Sequence, residues 1–189
     1  SGMNGEDLVK HGEDPDDPGG YFIINGTEKV LISVEDLAPN SFTVDKESNG
    51  SFIGKIFSEY GSFKIPHTIE KRKDNIFYIS FTRVKRIPLV TVIKALGMMK
   101  DEDIVKAVDN HTQHPEVLVN LYNSVEAKTQ EDAMDEVAKY ASINQPRDIR
   151  LERVREMLNK YLLPHLGIES GDLLYKAYNL CKMWKKYIL

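Results

Sequence analysis

Around Arg86-Ile87-Pro88 the apolar residues of this chain change their spacing, and that change limits the folds open to it. Before this point they come in short alternating runs broken by Gly and Asn. Phe42-Thr43-Val44-Asp45, Ser51 to Phe57, Phe63-Lys64-Ile65 and Ile76 to Phe81 are separated by Asn49-Gly50, Gly61 and the turn-like Lys71-Arg72-Lys73-Asp74-Asn75. Period-two runs with such punctuation predict an antiparallel meander over residues 41–82, with Pro66 near the end of its run, where a missing N–H does least harm. After Arg86 the period lengthens to about 3.6. Pro88 is suited to the first turn of a helix, with Leu89, Val92, Ile93 and Leu96 on one face and Gly97 as its stop. Five further helices are expected over the rest of 88–189: one capped by Asp101, one opened by Pro115, one with a capping box at Thr129-Gln130-Glu131-Asp132, one after Pro146 and one after Gly171. Their expected inner faces include Leu118, Leu121, Tyr122 and Val125, then Leu151, Val154, Leu158, Tyr161 and Leu162, then Leu173, Ala177, Leu180, Cys181, Trp184 and Ile188. Lys176, Lys182, Lys185 and Lys186 are expected outside. Strands first and helices second is the order of an α+β domain, here a meander with a hairpin followed by about six short-to-medium helices.

Upstream lies a second β signal. Tyr21-Phe22-Ile23-Ile24 and Thr27 to Ile32 flank Asn25-Gly26, the dipeptide that most readily takes the positive φ angles of a tight hairpin turn. Residues 1–18, with Glu6, Asp7, Glu13, Asp14, Asp16 and Asp17 among Gly12, Pro15 and Pro18, read as a flexible acidic leader. The expected division is therefore leader 1–18, hairpin segment 19–37 and main domain 38–189.

Composition narrows the function. At 189 residues, 41% hydrophobic and 29% charged, the chain has the make-up of an ordinary globular protein. It holds no apolar run near the roughly 20 residues that cross a bilayer, and the expected compartment is the cytoplasm. A single cysteine, Cys181, admits no internal disulfide and reads as a buried thiol. The net charge of −4 is unevenly spread. Lys64, Lys71, Arg72, Lys73, Arg83, Lys85, Arg86, Lys94 and Lys100 meet only Glu70 and Asp74 within their own segment, which suits a surface beside nucleic acid. Lys71, Arg72, Lys73, Arg83, Lys85 and Arg86 are the candidate phosphate contacts.

Catalytic signals are missing from the pattern. Glu13-Asp14-Pro15-Asp16-Asp17 is carboxylate-rich but broken by proline, and His111-x-x-His114 lacks a third ligand, so neither predicts a metal site. Gly19-Gly20 lacks the strand–turn–helix setting of a phosphate loop. His67 and His165 adjoin prolines and read as structural. No catalytic residue and no metal ligand is expected.

The wording of several segments is more specific than their spacing. Asp17-Pro18-Gly19-Gly20-Tyr21-Phe22-Ile23-Ile24-Asn25-Gly26-Thr27-Glu28-Lys29-Val30 resembles a motif of the second-largest subunit of multisubunit DNA-directed RNA polymerases, most closely the archaeal and eukaryotic forms. Arg86 to Met98 resembles the Ile-Pro…Arg-Ala-Leu-Gly segment of that subunit, with Lys94 where an Arg is common. Asp101-Glu102-Asp103-Ile104 is similar to the acidic helix start that follows, and Tyr161-Leu162-Leu163-Pro164-His165 to the Leu-Pro-His segment. These motifs run in family order from about Asp17 to Leu189.

The resemblance implies a piece of a much longer subunit, its lobe domain (38–189), with the hairpin serving the adjoining protrusion domain. Gly19, Gly20, Asn25, Gly26, Glu28, Lys29, Pro88 and Gly97 are the matching structural positions. It further implies nucleotidyl transfer by the assembled enzyme and no activity in the fragment. The magnesium ions belong to the largest-subunit active site, so no cofactor is expected here. Expected partners are the other polymerase subunits, the rest of its own subunit, DNA in the cleft and transcription factors, with no membrane. A free-standing protein-interaction module without nucleic-acid contact is the alternative, and a small nuclease a third reading.

Overall fold

The computed structural model describes residues 3–109, 114–167 and 172–189. They form two compact units, Ser1–Leu37 and Ala38–Leu189.

In the first unit the acidic stretch read as a leader holds a short helix, α1 (Gly5–Lys10), started by the Asn4 side chain, which accepts the Asp7 N–H at 2.9 Å. The hairpin follows as β1 (Tyr21–Ile24) and β2 (Thr27–Val30), paired from Tyr21↔Val30 to Ile24↔Thr27. Asn25 and Gly26 take φ of 53° and 74°, as the tight turn requires. Asp17 sets the entry: its carboxylate accepts the Gly19 N–H at 2.8 Å and the Tyr21 hydroxyl at 2.5 Å. The bond from Tyr21 holds the Asp17 carboxyl below its ordinary pKa, and the same contact pushes the Tyr21 phenol up to about 12. No described residue of this unit is fully buried.

The second unit is α+β, as the order of its elements predicts. Five antiparallel strands pair in chain order: β3 (Thr43–Lys46), β4 (Phe52–Tyr60), β5 (Phe63–Lys71), β6 (Phe77–Phe81) and β7 (Val84–Pro88). Along β4, β5 and β6 every second residue turns inward, giving Ile56, His67, Ile69, Phe77, Ile79 and Phe81 as a buried face, and in β7 Val84 and Ile87, three apart, are buried too. Gly54 belongs to this face because a Cβ there would lie 2.4 Å from the Phe42 ring.

Two strand expectations change. Pro66 sits in the middle of β5, opposite Phe57, rather than near its end. It is tolerated because β6 begins its pairing with β5 only at His67, leaving that side of Pro66 without a ladder. The sheet also runs past 82: β7 continues to Pro88, which pairs with Tyr78. Arg86 takes φ of 60° at an irregularity in this ladder, and its N–H donates to Ser80 Oγ at 2.9 Å.

The helices are α2 (Leu89–Ala95), α3 (Asp101–Val108), α4 (Pro115–Asn123), α5 (Gln130–Tyr140), α6 (Arg147–Tyr161) and α7 (Leu173–Ile188), with a 3-10 turn at Pro164–Leu166. All of α2 is buried, including the side not expected to be. Gly97 ends it at φ 106°. The capping box of α5 forms as expected, Thr129 Oγ1 accepting the Asp132 N–H and the Asp132 carboxylate accepting the Thr129 N–H, both at 3.1 Å. Asp101 does not cap α3; it is the first helical residue, and its carboxylate meets Lys94 at 3.1 Å.

Faces are corrected where a polar group points inward. In α4 the buried residues are Val117, Asn120 and Leu121, while Leu118 and Tyr122 are exposed, as is Val125 just past its end. Asn120 turns the helix: its Oδ1 accepts the Phe77 N–H at 2.8 Å and its Nδ2 donates to Asn75 O at 3.0 Å and Glu116 O at 2.8 Å. Tyr161 of α6 is likewise exposed. Lys176, expected outside α7, is 2% exposed. Its ammonium donates to the carbonyls of Leu158, Asn159 and Leu162 at 3.3, 2.5 and 2.7 Å, closing the carbonyl end of α6. Burial lowers its pKa to about 8, which leaves it charged at neutral pH.

His67 works beside it. Nδ1–H donates to Ile65 O and Nε2 accepts the Leu163 N–H, each at 3.0 Å, so the neutral ring holds Leu163 in its left-handed conformation at φ 45°. Burial drops the His67 pKa to about 4.

Two measurements check this account. The unfolded chain takes up the His67 proton at about 6.5 and the folded one only at about 4, so stability falls as pH drops through that window, by about 3 kcal/mol. Urea titrations of His67→Leu should lose that part of the pH slope. Lys176→Met leaves those carbonyls without a donor, and calorimetry should show a Tm lower by roughly 5 to 10 °C.

Candidate nucleic-acid interface

The β5–β6 turn carries the densest positive charge. Arg72 N–H donates to Ile76 O at 3.1 Å and Asn75 N–H to Arg72 O at 3.0 Å, with Asn75 at φ 62°, so the turn is closed by its own backbone. Asp74, the nearest acid in sequence, is occupied: it accepts the Ile76 N–H and the Tyr78 hydroxyl, both at 2.9 Å. Burial and this bond together push the Tyr78 phenol up to about 12. Arg72 and Lys73 are exposed. Lys71 reaches Glu116 of α4 at 2.6 Å and lies 6.0 Å from the centre of the Phe77 ring.

These side chains border an open cleft of about 630 Å³, shared with Phe52, Lys186 and Tyr187. The end of α7 is fixed there by three contacts. Lys186 Nζ donates to Phe42 O at 2.7 Å, the Tyr187 hydroxyl to Phe52 O at 2.5 Å, and the Tyr187 ring stands edge-on to Phe77 at 5.2 Å. Lys186 is a member of the site that sequence reasoning missed. The signal was the outward lysine face of α7, but nothing in one helix says which strand its end will meet.

The six candidate phosphate contacts do not converge. Lys71, Arg72 and Lys73 precede β6, and Arg83 and Lys85 follow it, so the two groups stand at opposite ends of a five-residue strand, roughly 15 Å apart. Arg83 and Lys85 are exposed, whereas Arg86 is paired with Glu70 at 3.1 Å. Lys94, part of the same basic segment, faces inward and donates to Ser124 O at 3.1 Å, capping the end of α4.

Groups with catalytic potential are occupied. Ser58 Oγ lies 2.7 Å from His165 Nδ1 and also accepts the His165 N–H at 3.2 Å, so buried Ser58 and half-buried His165 tie β4 to the 3-10 turn. Cys181 is buried against Met98, and burial pushes its thiol up to about 12. Among the described residues no three His, Cys, Asp or Glu side chains gather as a metal site. Asp14 and Asp17 are used in local turns, and His111 lies outside the described residues. Among the described residues no helix is long and apolar enough to cross a membrane. Of the other motif positions, Gly19 and Gly20 take φ of 63° and 81°, while Glu28 and Lys29 stand on β2 opposite Ile23 and Phe22.

Comparison with known proteins places these features in a family. A sequence profile described as RNA polymerase beta subunit matches residues 1–176. The chain is 42% identical over 189 residues to the DNA-directed RNA polymerase subunit Rpo2 of Saccharolobus solfataricus, covering 96% of this chain and 16% of that protein. It is 40% identical over 178 residues to subunit Rpo2N of Methanocaldococcus jannaschii, covering 90% and 36%. With Rpo2N of Methanococcus vannielii the identity is 38% over 196 residues, covering 100% and 39%. The chain thus spans well under half the length of these relatives.

Glu116 is the acid bordering the cleft. Glu116→Gln should make the protein elute from heparin at higher salt. Its cost in stability should not exceed about 1 kcal/mol, since the pair with Lys71 is partly solvated.

Proposed function

The chain belongs to the RNA polymerase beta subunit family, and we propose that it is the lobe region of the second-largest subunit of a DNA-directed RNA polymerase. In this reading it flanks the DNA cleft and helps to retain DNA during transcription. It supplies no catalytic group; nucleotidyl transfer and its magnesium ions belong to the largest subunit of the assembled enzyme. Its partners are the other subunits, the remainder of its own subunit and DNA, and it also serves as a docking surface for transcription factors.

One observation carries the reading: exposed Arg72 and Lys73, with Lys71, are presented on a backbone-closed turn whose own acid is engaged elsewhere. Held this way, cations attract phosphate regardless of base sequence. A processive polymerase needs that kind of contact, because every template must slide past it. The turn stays in shape without a ligand, so little ordering opposes the encounter.

The test is the salt dependence of DNA retention by the assembled polymerase. Replacing Lys71, Arg72 and Lys73 together by Gln should flatten the slope of log K against log salt by roughly 2 to 3, about 0.9 for each phosphate that is no longer neutralised. Weakening should be similar for unrelated DNA sequences. An unchanged slope would overturn the assignment.

A further inference from the structure

A second surface is built on the opposite chemistry. Leu118 and Tyr122, which share one face of α4, and Val125, in the turn just after it, are 56%, 81% and 55% exposed. With half-buried Val105 on α3 and Leu121 at its floor they line a groove of about 590 Å³ between α3 and α4. Among the described residues its remaining lining is charged, Asp101, Glu102 and Asp109 with Lys106, and the Asp109 carboxylate also accepts the His114 N–H at 3.2 Å. Lys94 meets Asp101 from inside, and Glu102 is exposed.

We propose that this groove docks an amphipathic helix of another polypeptide, with apolar side chains seated on Leu118, Tyr122 and Val125 and Lys or Arg side chains against the carboxylate rim. The proposal rests on the docking part of the function given above, and names its surface and the chemistry of its partner; it is independent of the DNA contact.

The shape fits a helix laid in a groove, a mode read out through residues spaced like these. The charge selects the occupant. Nucleic acid and anionic lipid surfaces are repelled by the carboxylates. A second copy of this chain would bring two acidic rims together, a like-charge contact that opposes association. A basic amphipathic helix meets neither obstacle.

The experiment uses the 189-residue chain and a fluorescein-labelled amphipathic helix made of Leu and Lys, with a Leu/Glu helix of the same pattern as control. Binding is read by anisotropy and located by amide chemical shifts. The Leu/Lys helix should bind in the micromolar range with shifts confined to α3 and α4, and the Leu/Glu helix should not bind. Tyr122→Ser should weaken binding at least tenfold with Tm unchanged, since the ring is solvated. Glu102→Lys should weaken it severalfold, more so at low salt. Equal binding of both helices, shifts located elsewhere, or indifference to both substitutions would overturn the proposal. So would a Tyr122-dependent dimer in sedimentation, or protection of Tyr122 from hydroxyl radicals in the complete subunit without any partner. Tyr122→Ser leaves the basic turn intact, so a normal salt slope in that variant separates failure here from failure of the DNA reading.

Discussion

A helix with no solvated face must be covered on every side, and α2 is such a helix. It leaves the sheet directly at Pro88, whose missing N–H ends the β7 ladder and whose fixed φ starts the turn into Leu89. The sheet lies on one side of it, and α4, α5 and α7 supply the rest of its cover. Its carbonyl end is closed by Gly97 and by Gln130, which donates to Ala95 O at 2.9 Å. The rest of the domain is arranged to make that burial complete.

Covering a central helix with other helices creates a difficulty, because each of them brings orphan carbonyls toward the interior. The solution here is the same twice. Lys94 reaches Ser124 O at the end of α4, and Lys176 reaches three carbonyls at the end of α6. A positive charge at a helix C-terminus is favoured by the dipole as well as by the hydrogen bonds. His67 adds a neutral donor–acceptor pair beside the second of these, which is why the α6 exit stays ordered through a left-handed leucine.

The same fold separates two surfaces of opposite character. Lys71 ends β5 and Arg72 and Lys73 follow it, and Lys186 joins them from the far end of the chain. The α3–α4 groove is apolar with a carboxylate rim. Surfaces so different in charge suit different partners, one polyanionic and one basic.

The sequence by itself determined the element order, the hairpin at Asn25-Gly26, the capping box at Thr129 and the stop at Gly97, because each rests on a backbone preference or on contacts within a few residues. It also carried the family, through motifs spread along the chain. Tertiary structure decided what local spacing cannot express. Asn120 and Lys176 are polar, so periodicity puts them outside; they lie inside because strands and helices distant in sequence supply their partners. Leu118 and Tyr122 are apolar, so periodicity puts them inside; Asn120 rotates them out, and the helix ends before Val125, which periodicity also put inside. The basic residues were legible as a charged segment, but only the meander could split them between the two ends of β6. Hydrogen-bond partners far apart along the chain set the direction of each face, and a one-dimensional pattern holds no record of them.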